Sequence, residues 1–292
     1  AIQWQKSLGG SVNDAAYSIQ QTSDGGYIVA GYTESNDSDV TVNYGIWDYW
    51  VVKLNSSSTI QWQKSFGGTD KDLSNSIQQT TDGGFILAGY SISNDIDITG
   101  NHGQEDYWIV KLNSSGVIQW QKSLGGSNVD KANSIRQTSD GGYIVAGSSN
   151  SVDGDITAHH GTIALQTDYW IVRLDSTGTL LWEKSLGGGS NDAAYSIQQT
   201  TDGGFIVAGS AISVDGDVTG HHGTTGNADC WIVKLSSTGV IQWQKALGGT
   251  ELDFANSIQQ TSDGGYIIAG NSASSDGDVT FHWGSFVGND IW

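Results

Sequence analysis

Residues 17–31 read YSIQQTSDGGYIVAG, and residues 48–68 read DYWVVKLNSSSTIQWQKSFGG. Each stretch holds two runs of aliphatic, aromatic and β-branched residues parted by turn residues, with no helical 3.6-residue period. In the first, Ser23-Asp24-Gly25-Gly26 joins the runs at 17–22 and 27–32. Gly supplies the positive φ that such a hairpin turn needs. In the second, residues 55–58 turn the run at 49–54 into the run at 60–66. The four runs are strands A to D of one antiparallel unit.

The unit recurs along the chain. The segment around Trp4 (IQWQKSLGG) returns at Trp62, Trp120, Trp182 and Trp243, at spacings of 58, 58, 62 and 61. Strand B ends at Gly31, Gly89, Gly147, Gly209 and Gly270, and an Asp-x-Trp opens strand C at Asp48, Asp106, Asp168, Asp229 and Asp290. Only the B–C connection changes length, with 17, 17, 21, 20 and 20 residues from the Gly to the Asp. A unit of about 60 residues with four antiparallel strands is the size and make-up of a propeller blade. The expected fold is therefore all-β: a single five-bladed β-propeller of four-stranded antiparallel blades over 1–292, at about 15–66, 73–124, 131–186, 193–247, and 254–292 plus 1–8. The chain opens on a D strand (2–8) and stops at the start of a C strand (290–292). The N-terminal strand is thus expected to close the fifth blade and remove two open sheet edges.

Composition narrows the function. Lys+Arg 12 against Asp+Glu 31 leaves a net charge of −19, which excludes a phosphate-binding basic surface and disfavours anionic membranes. No stretch approaches the roughly 18 apolar residues of a membrane span, so a soluble chain is expected. The sequence starts at Ala1, has no Met and shows no basic-then-apolar leader, so a mature or excised form is expected. A single Cys rules out an internal disulfide framework.

The DGGYIVAG and DYWVVKLNSSG/IQWQKSLGG blocks resemble the β-propeller repeats of secreted bacterial multidomain and cell-surface proteins, and the four-strand order ending strand B in Gly is kelch-like. The resemblance covers the whole chain. It implies a secreted, extracellular or cell-surface setting and a binding or display role, with no shared catalytic motif. Ser23-Asp24-Gly25-Gly26-Tyr27 departs from the Asp-box of sialidases, so no glycosidase activity is carried over.

In an up-and-down blade the short A–B and C–D turns share one face, and the long B–C and D–A loops share the other. That second face holds the candidate site. Its B–C loops repeat Asp-x-Asp-x-Thr at Asp37/Asp39/Thr41, Asp95/Asp97/Thr99, Asp153/Asp155/Thr157, Asp215/Asp217/Thr219 and Asp276/Asp278/Thr280. In the first two units a further Asp follows eleven residues after the first, at Asp48 and Asp106, echoing the ligand spacing of an EF-hand loop. Alternating carboxylates of this kind suit Ca²⁺, the cofactor expected here; the other reading is that they form Asx turns and cap their own loops. Asp14, Asp72, Asp130, Asp192 and Asp253 recur in register on the D–A side and read as loop-pinning residues rather than catalytic ones.

Ten of the twelve Trp sit at recurring strand C and D positions and are expected to pack blade on blade. Trp47 and Trp283 fall outside that pattern, in B–C loops with Tyr44, Phe281 and Phe286. These five form the candidate ligand-binding set, as an aromatic surface for a glycan or protein; the other reading is that they seal the split blade. His102, His159-His160, His221-His222 and His282 are expected to be solvated loop residues, and Cys230 a packed apolar one. Lys or Arg at 53, 111, 173 and 234 in strand C and at 6, 64, 122, 184 and 245 in strand D are expected to guard the outer edges.

The functional expectation is a non-enzymatic extracellular binding module, lectin- or adhesin-like, acting through the long-loop face with calcium assistance. The alternative is a structural unit of a surface layer or filament that assembles through its faces or by terminal-strand exchange. No acid/base pair stands apart from the repeat, so an enzyme is not expected. Neither nucleic acid nor membrane insertion is expected among its partners.

Overall fold

The computed structural model describes residues 2–161, 166–223, 226–280 and 290–292. It divides into two compact units, Ala1–Gln137 and Thr138–Trp292. Every regular element among the described residues is a strand, and within each sheet consecutive strands pair antiparallel.

The first unit holds the sheet β1 (Asp14–Gln21), β2 (Tyr27–Thr33), β3 (Asp48–Leu54) and β4 (Ile60–Phe66), in that order. Next comes the sheet β5 (Asp72–Gln79), β6 (Phe85–Ser91), β7 (Asp106–Leu112) and β8 (Ile118–Leu124). The unit ends with β9 (Asp130–Gln137). The second unit opens with β10 (Tyr143–Ser149), β11 (Asp168–Leu174) and β12 (Leu180–Leu186) of the third repeat. The fourth repeat is the sheet β13 (Asp192–Gln199), β14 (Phe205–Ala211), β15 (Asp229–Leu235) and β16 (Ile241–Leu247). The fifth is a three-stranded sheet of β17 (Asp253–Gln260), β18 (Tyr266–Ser272) and β19 (Asp290–Ile291).

In the first repeat strand D lies where the sequence places it, at Ile60–Phe66, while strand A begins three residues earlier than expected, at the D–A aspartate. The reason is a bulge. Ala16 pairs with Gly31 and Ser18 with Ala30, so Tyr17 is the extra residue, and the same slip recurs at Ala194/Ser196 and Ala255/Ser257. The bulge presses the strand A backbone onto strand B: a Cβ at Gly31 would lie 1.9 Å from the Ala15 carbonyl oxygen, and one at Gly89 as close to that of Leu73. The Gly that ends strand B is therefore a steric requirement.

Burial follows the sheet joints. In the first unit Ile28, Ala30, Tyr49 and Val51 of the first sheet share one buried cluster with Ile77, Phe85, Leu87 and Val110 of the second. In the second unit Ile206, Ala208 and Cys230 of the fourth sheet pack with Ala255 and Ile258 of the fifth. Of the recurring Trp residues, Trp50, Trp108, Trp170 and Trp231 are buried and Trp62 meets Phe85 edge-on with ring centroids 5.7 Å apart, whereas Trp4 and Trp243 are exposed.

Two expectations are corrected. Among the described residues, 2–10 carry no strand and β19 pairs with β18, so the fifth sheet has three strands where four are expected. The strand C cations are not edge guards either. Lys53, Lys111, Arg173 and Lys234 are buried and reach the A–B turn of their own repeat, pairing with Asp24, Asp82, Asp140 and Asp202 at 2.6–2.9 Å. Turn and strand are thereby tied from inside.

Candidate functional site

Strand A and strand C each begin on an Asp, and both place their carboxylates beneath the long loops. The strand A aspartates hold the D–A loop by its backbone. Gly10, Gly68, Gly126, Gly188 and Gly249 donate their N–H groups to Asp14, Asp72, Asp130, Asp192 and Asp253 at 2.7–3.0 Å. The same carboxylates also hold the start of the B–C loop, accepting from the hydroxyls of Ser35, Ser93, Ser213 and Ser274 at 2.7–3.0 Å. The loop-pinning role read from the sequence is the one they have.

The strand C aspartates hold the far end of the B–C loop. Asp48, Asp106, Asp168 and Asp229 accept the backbone N–H of Tyr44, His102, His160 and His222 at 2.7–2.8 Å. In three of these the imidazole joins the same oxygen, His102 Nδ1 at 2.8 Å, His160 Nδ1 at 3.0 Å and His222 Nδ1 at 2.9 Å. His160 Nε2 then lies 3.5 Å from Asp217 Oδ2, and His222 Nε2 lies 3.6 Å from Asp278 Oδ2. These histidines are clamps, not solvated residues. The offsets of four, eight and seven residues from His to Asp vary too much to show the pairing in sequence.

The Asp-x-Asp-x-Thr motifs take the third set of loop contacts. The first carboxylate accepts N–H groups of the D–A loop: Ser11 to Asp37 at 2.8 Å, Thr69 to Asp95 at 2.9 Å, Gly189 to Asp215 at 2.7 Å and Thr250 to Asp276 at 2.8 Å. The second meets Gly N–H groups at longer range, Gly9 to Asp39 at 3.3 Å, Gly67 to Asp97 at 3.4 Å and Gly187 to Asp217 at 3.3 Å. Thr41 and Thr99 each accept from a strand D amide, Gln63 and Gln121, at 2.6 Å. Asp153 and Asp155 occupy the same places in the third repeat. The middle residue has a left-handed backbone throughout, φ 57° at Ser38, 55° at Ile96, and 64–66° at Gly154, Gly216 and Gly277. That twist, which sequence spacing does not display, turns both carboxylates toward the D–A loop. Among the described residues no group of three or more His, Cys, Asp or Glu is arranged to hold a metal ion.

Burial raises the carboxyls of Asp48, Asp72, Asp192 and Asp229 among the strand-start aspartates. Removal from water pushes the Asp48 carboxyl up to about 7 despite the Tyr44 N–H bond, and nearby Asp72 and Asp97 add to the rise. Burial likewise lifts Asp192 to about 6, opposed by bonds from Ser213 and Gly188. The Oδ1 atoms of Asp48, Asp168 and Asp229 are buried without a hydrogen-bond partner. Burial also pushes the Cys230 thiol up to about 12, so it stays protonated and unreactive.

Of the aromatic candidates, Tyr44 is exposed on its loop. Trp47 is held in place: Tyr32 lies against it with ring centroids 4.9 Å apart, Lys71 Nζ stands 4.5 Å from the ring centre, and its indole N–H donates to Glu34 at 2.7 Å. Tyr17 extends the stack at 6.2 Å from Tyr32 and is exposed. It is the ring that sequence reasoning missed, because it stands in a strand rather than a loop. Phe281, Trp283 and Phe286 lie outside the described residues, as does His282.

No protein-family model matches the chain. Over 136 residues it is 27% identical to "Regulatory protein FlaEY" of Caulobacter vibrioides, a match that takes in 45% of this chain and 14% of that protein's length. Among solved structures it is similar to the Pan2 WD40 domain of Neurospora crassa (TM-score 0.45, 9% identity, 88% of this chain and 74% of that one). It is also similar to Sqt1 from Chaetomium thermophilum (TM-score 0.36, 15% identity, 89% and 67%). A third is a xylan β-1,4-xylosidase from Bacillus halodurans (TM-score 0.37, 13% identity, 87% and 48%). No helix of the described residues is long and apolar enough to cross a membrane.

Proposed function

We propose that the chain is a β-propeller binding module, extracellular and non-enzymatic, that recognises a glycan or protein ligand with the tips of its B–C loops. The observation that carries this reading is the division of labour in those loops. Their bases are fastened to buried aspartates at both ends, while the tips vary in length and expose residues such as Tyr44. Rigid feet under variable tips pre-organise a recognition surface and lower the ordering cost of binding. The calcium part of the reading is an ion held among the loop carboxylates, where the Asp37 and Asp95 carboxylates already hold N–H groups and Asp48 Oδ1 is buried without a hydrogen-bond partner.

The test is a glycan array, with a surface-protein pull-down in parallel, using wild type and Tyr44→Ala. Binding that Tyr44→Ala weakens, with the fold unchanged by circular dichroism, supports the reading. Binding that survives Tyr44→Ala and is lost on changing the A–B turns moves the site to the other face. Melting with added CaCl₂ against EDTA tests the calcium part alone.

A further inference from the structure

We propose that a cavity at the joint of the third and fourth sheets is a second binding site, built to take a single neutral pyranose ring of a glycan.

The cavity arises where one repeat departs from the others. In the first, second and fourth repeats the buried lysine of strand C also bonds the first glutamine of strand D: Lys53 to Gln61, Lys111 to Gln119 and Lys234 to Gln242, at 2.9, 3.0 and 3.0 Å. In the third repeat Arg173 and Leu181 stand at those two places. Arg173 commits its guanidinium elsewhere. Its Nη2 lies 2.6 Å from both carboxylate oxygens of Asp140, and its Nη1 donates to the Tyr143 carbonyl at 3.1 Å. Leu181 carries no acceptor and is 55% exposed. Both side chains border a cavity of about 260 Å³. Every residue that bounds it falls between 139 and 237, so its walls belong to the second unit alone. It lies at the A–B and C–D turns, the end of the sheets opposite the B–C loops.

One wall is apolar. Trp182 is half-buried and meets Phe205 edge-on, with ring centroids 5.9 Å apart and planes at 63°. The C–D turn of the fourth repeat holds the indole in place, since a Cβ at Gly239 would lie 3.1 Å from Trp182 Cζ3. The other wall is polar. Gln199 Oε1 accepts the Ser139 N–H at 2.8 Å, which leaves the amide N–H groups of Gln199 to donate to a ligand. Ser139 and Ser237 are exposed turn residues on the same cavity, and their hydroxyls can donate and accept.

The lining selects the ligand. The Thr138 hydroxyl, the Gly142 N–H and Arg173 hold the Asp140 carboxyl below its ordinary value, so it is ionised, and Arg173 cancels its charge. A bidentate ion pair presents no net charge, so neither a cation nor an anion gains by entering. What remains is one indole among hydroxyl, amide and carboxylate groups. The indole suits the flat C–H side of a sugar ring, and the polar groups match its hydroxyls. The volume falls just below the roughly 300–1,000 Å³ of sites for drug-sized ligands, which suits one ring.

The site stands apart from the loop tips, so its failure leaves the loop-tip reading in place. The test follows the Trp182 indole N–H signal in ¹⁵N-tryptophan-labelled protein, assigned from Trp182→Phe. The probes are the methyl glycosides of glucose, galactose, mannose and xylose, and at least one is expected to shift that signal at millimolar concentration. Arg173→Lys combined with Leu181→Gln is expected to weaken the effect about tenfold or more with unchanged melting. The lysine–glutamine pair it installs already stands in three repeats. Ser237→Trp, which fills the mouth from an exposed turn, is expected to act the same way. Tyr44→Ala is expected to leave the shift as in wild type. No shift from any of the four glycosides overturns the proposal, as does an equal shift in both cavity variants. A shift given by lysine ethyl ester and by none of the glycosides also overturns it, and assigns the cavity to a cationic peptide side chain.

Discussion

Lys53 Nζ lies 2.9 Å from Asp24 Oδ2, linking a buried strand C ammonium to a carboxylate in the A–B turn of the same sheet. The ammonium also meets the Leu54 carbonyl at 3.0 Å and Gln61 Oε1 at 2.9 Å, so Asp24 is its only anionic partner in that set. Asp24 in turn accepts from Thr22 and the Gly26 N–H, and these bonds, with Lys53, hold its carboxyl well below the usual range. Asp24→Asn leaves a buried charge with neutral partners, and urea denaturation is expected to show a loss of about 1–3 kcal/mol. A variant as stable as wild type would show that water reaches the ammonium and replaces the carboxylate.

The buried aspartates set a pH dependence with a definite sign. A carboxyl whose folded pKa is raised binds more protons folded than unfolded, so its stabilising contribution is complete below the unfolded value near 4 and is lost as pH rises through the folded value. With Asp192 at about 6 and Asp48 at about 7, the melting temperature is expected to fall between roughly pH 4 and pH 7. Asn mimics the protonated acid, so Asp48→Asn combined with Asp192→Asn should flatten that decline. A melting temperature that rises over the same range refutes the assignment.

Ile96 is a β-branched residue at φ 55°, in a position where Gly154, Gly216 and Gly277 stand in three other repeats. A side chain there costs on the order of 1–2 kcal/mol, and Ile96 is exposed, so little packing offsets it. Ile96→Gly is expected to stabilise the chain by about 1 kcal/mol in chemical denaturation. Destabilisation would mean that the Ile96 side chain makes contacts that outweigh its backbone strain.

Gly89 provides the opposite case. A methyl group there would lie 1.9 Å from the Leu73 carbonyl oxygen and 2.7 Å from the Tyr49 hydroxyl. Gly89→Ala is expected to cost about 3 kcal/mol or more, or to prevent folding of that sheet. Near-wild-type melting would show that the strand A bulge can relax.

His102 is expected to act locally. His102→Ala removes the imidazole from Asp106 and leaves the backbone N–H bond at 2.8 Å in place. Hydrogen exchange of residues 99–105 should quicken with little change in global melting. An unchanged exchange rate would show that the N–H bond alone holds the loop.

How far the sequence could be read depended on the range of each interaction. The run 60–66 is observed as Ile60–Phe66, because period-two patterning between turn residues is a local property. Asp14 and its counterparts were legible as pins because they recur in register. The partners of His102, His160 and His222 were not, since loops of different length bring each ring to the same aspartate. Lys53 looked like an edge residue by its strand alone; its burial depends on the Asp24 turn folding beneath it. Trp47 stood out as a spare aromatic, yet Tyr32 and Lys71, from a neighbouring strand and the next repeat, pack against its ring.

Taken by itself, the amino-acid sequence determined the repeat, the four-strand unit, its turns and the single loop class in which length varies, since these follow from backbone preference and periodicity over a few residues. Tertiary structure alone decided which carboxylates carry a raised pKa and which basic residues are internal. Those properties depend on what water is excluded from, and that is set by surfaces brought together from far apart in the chain.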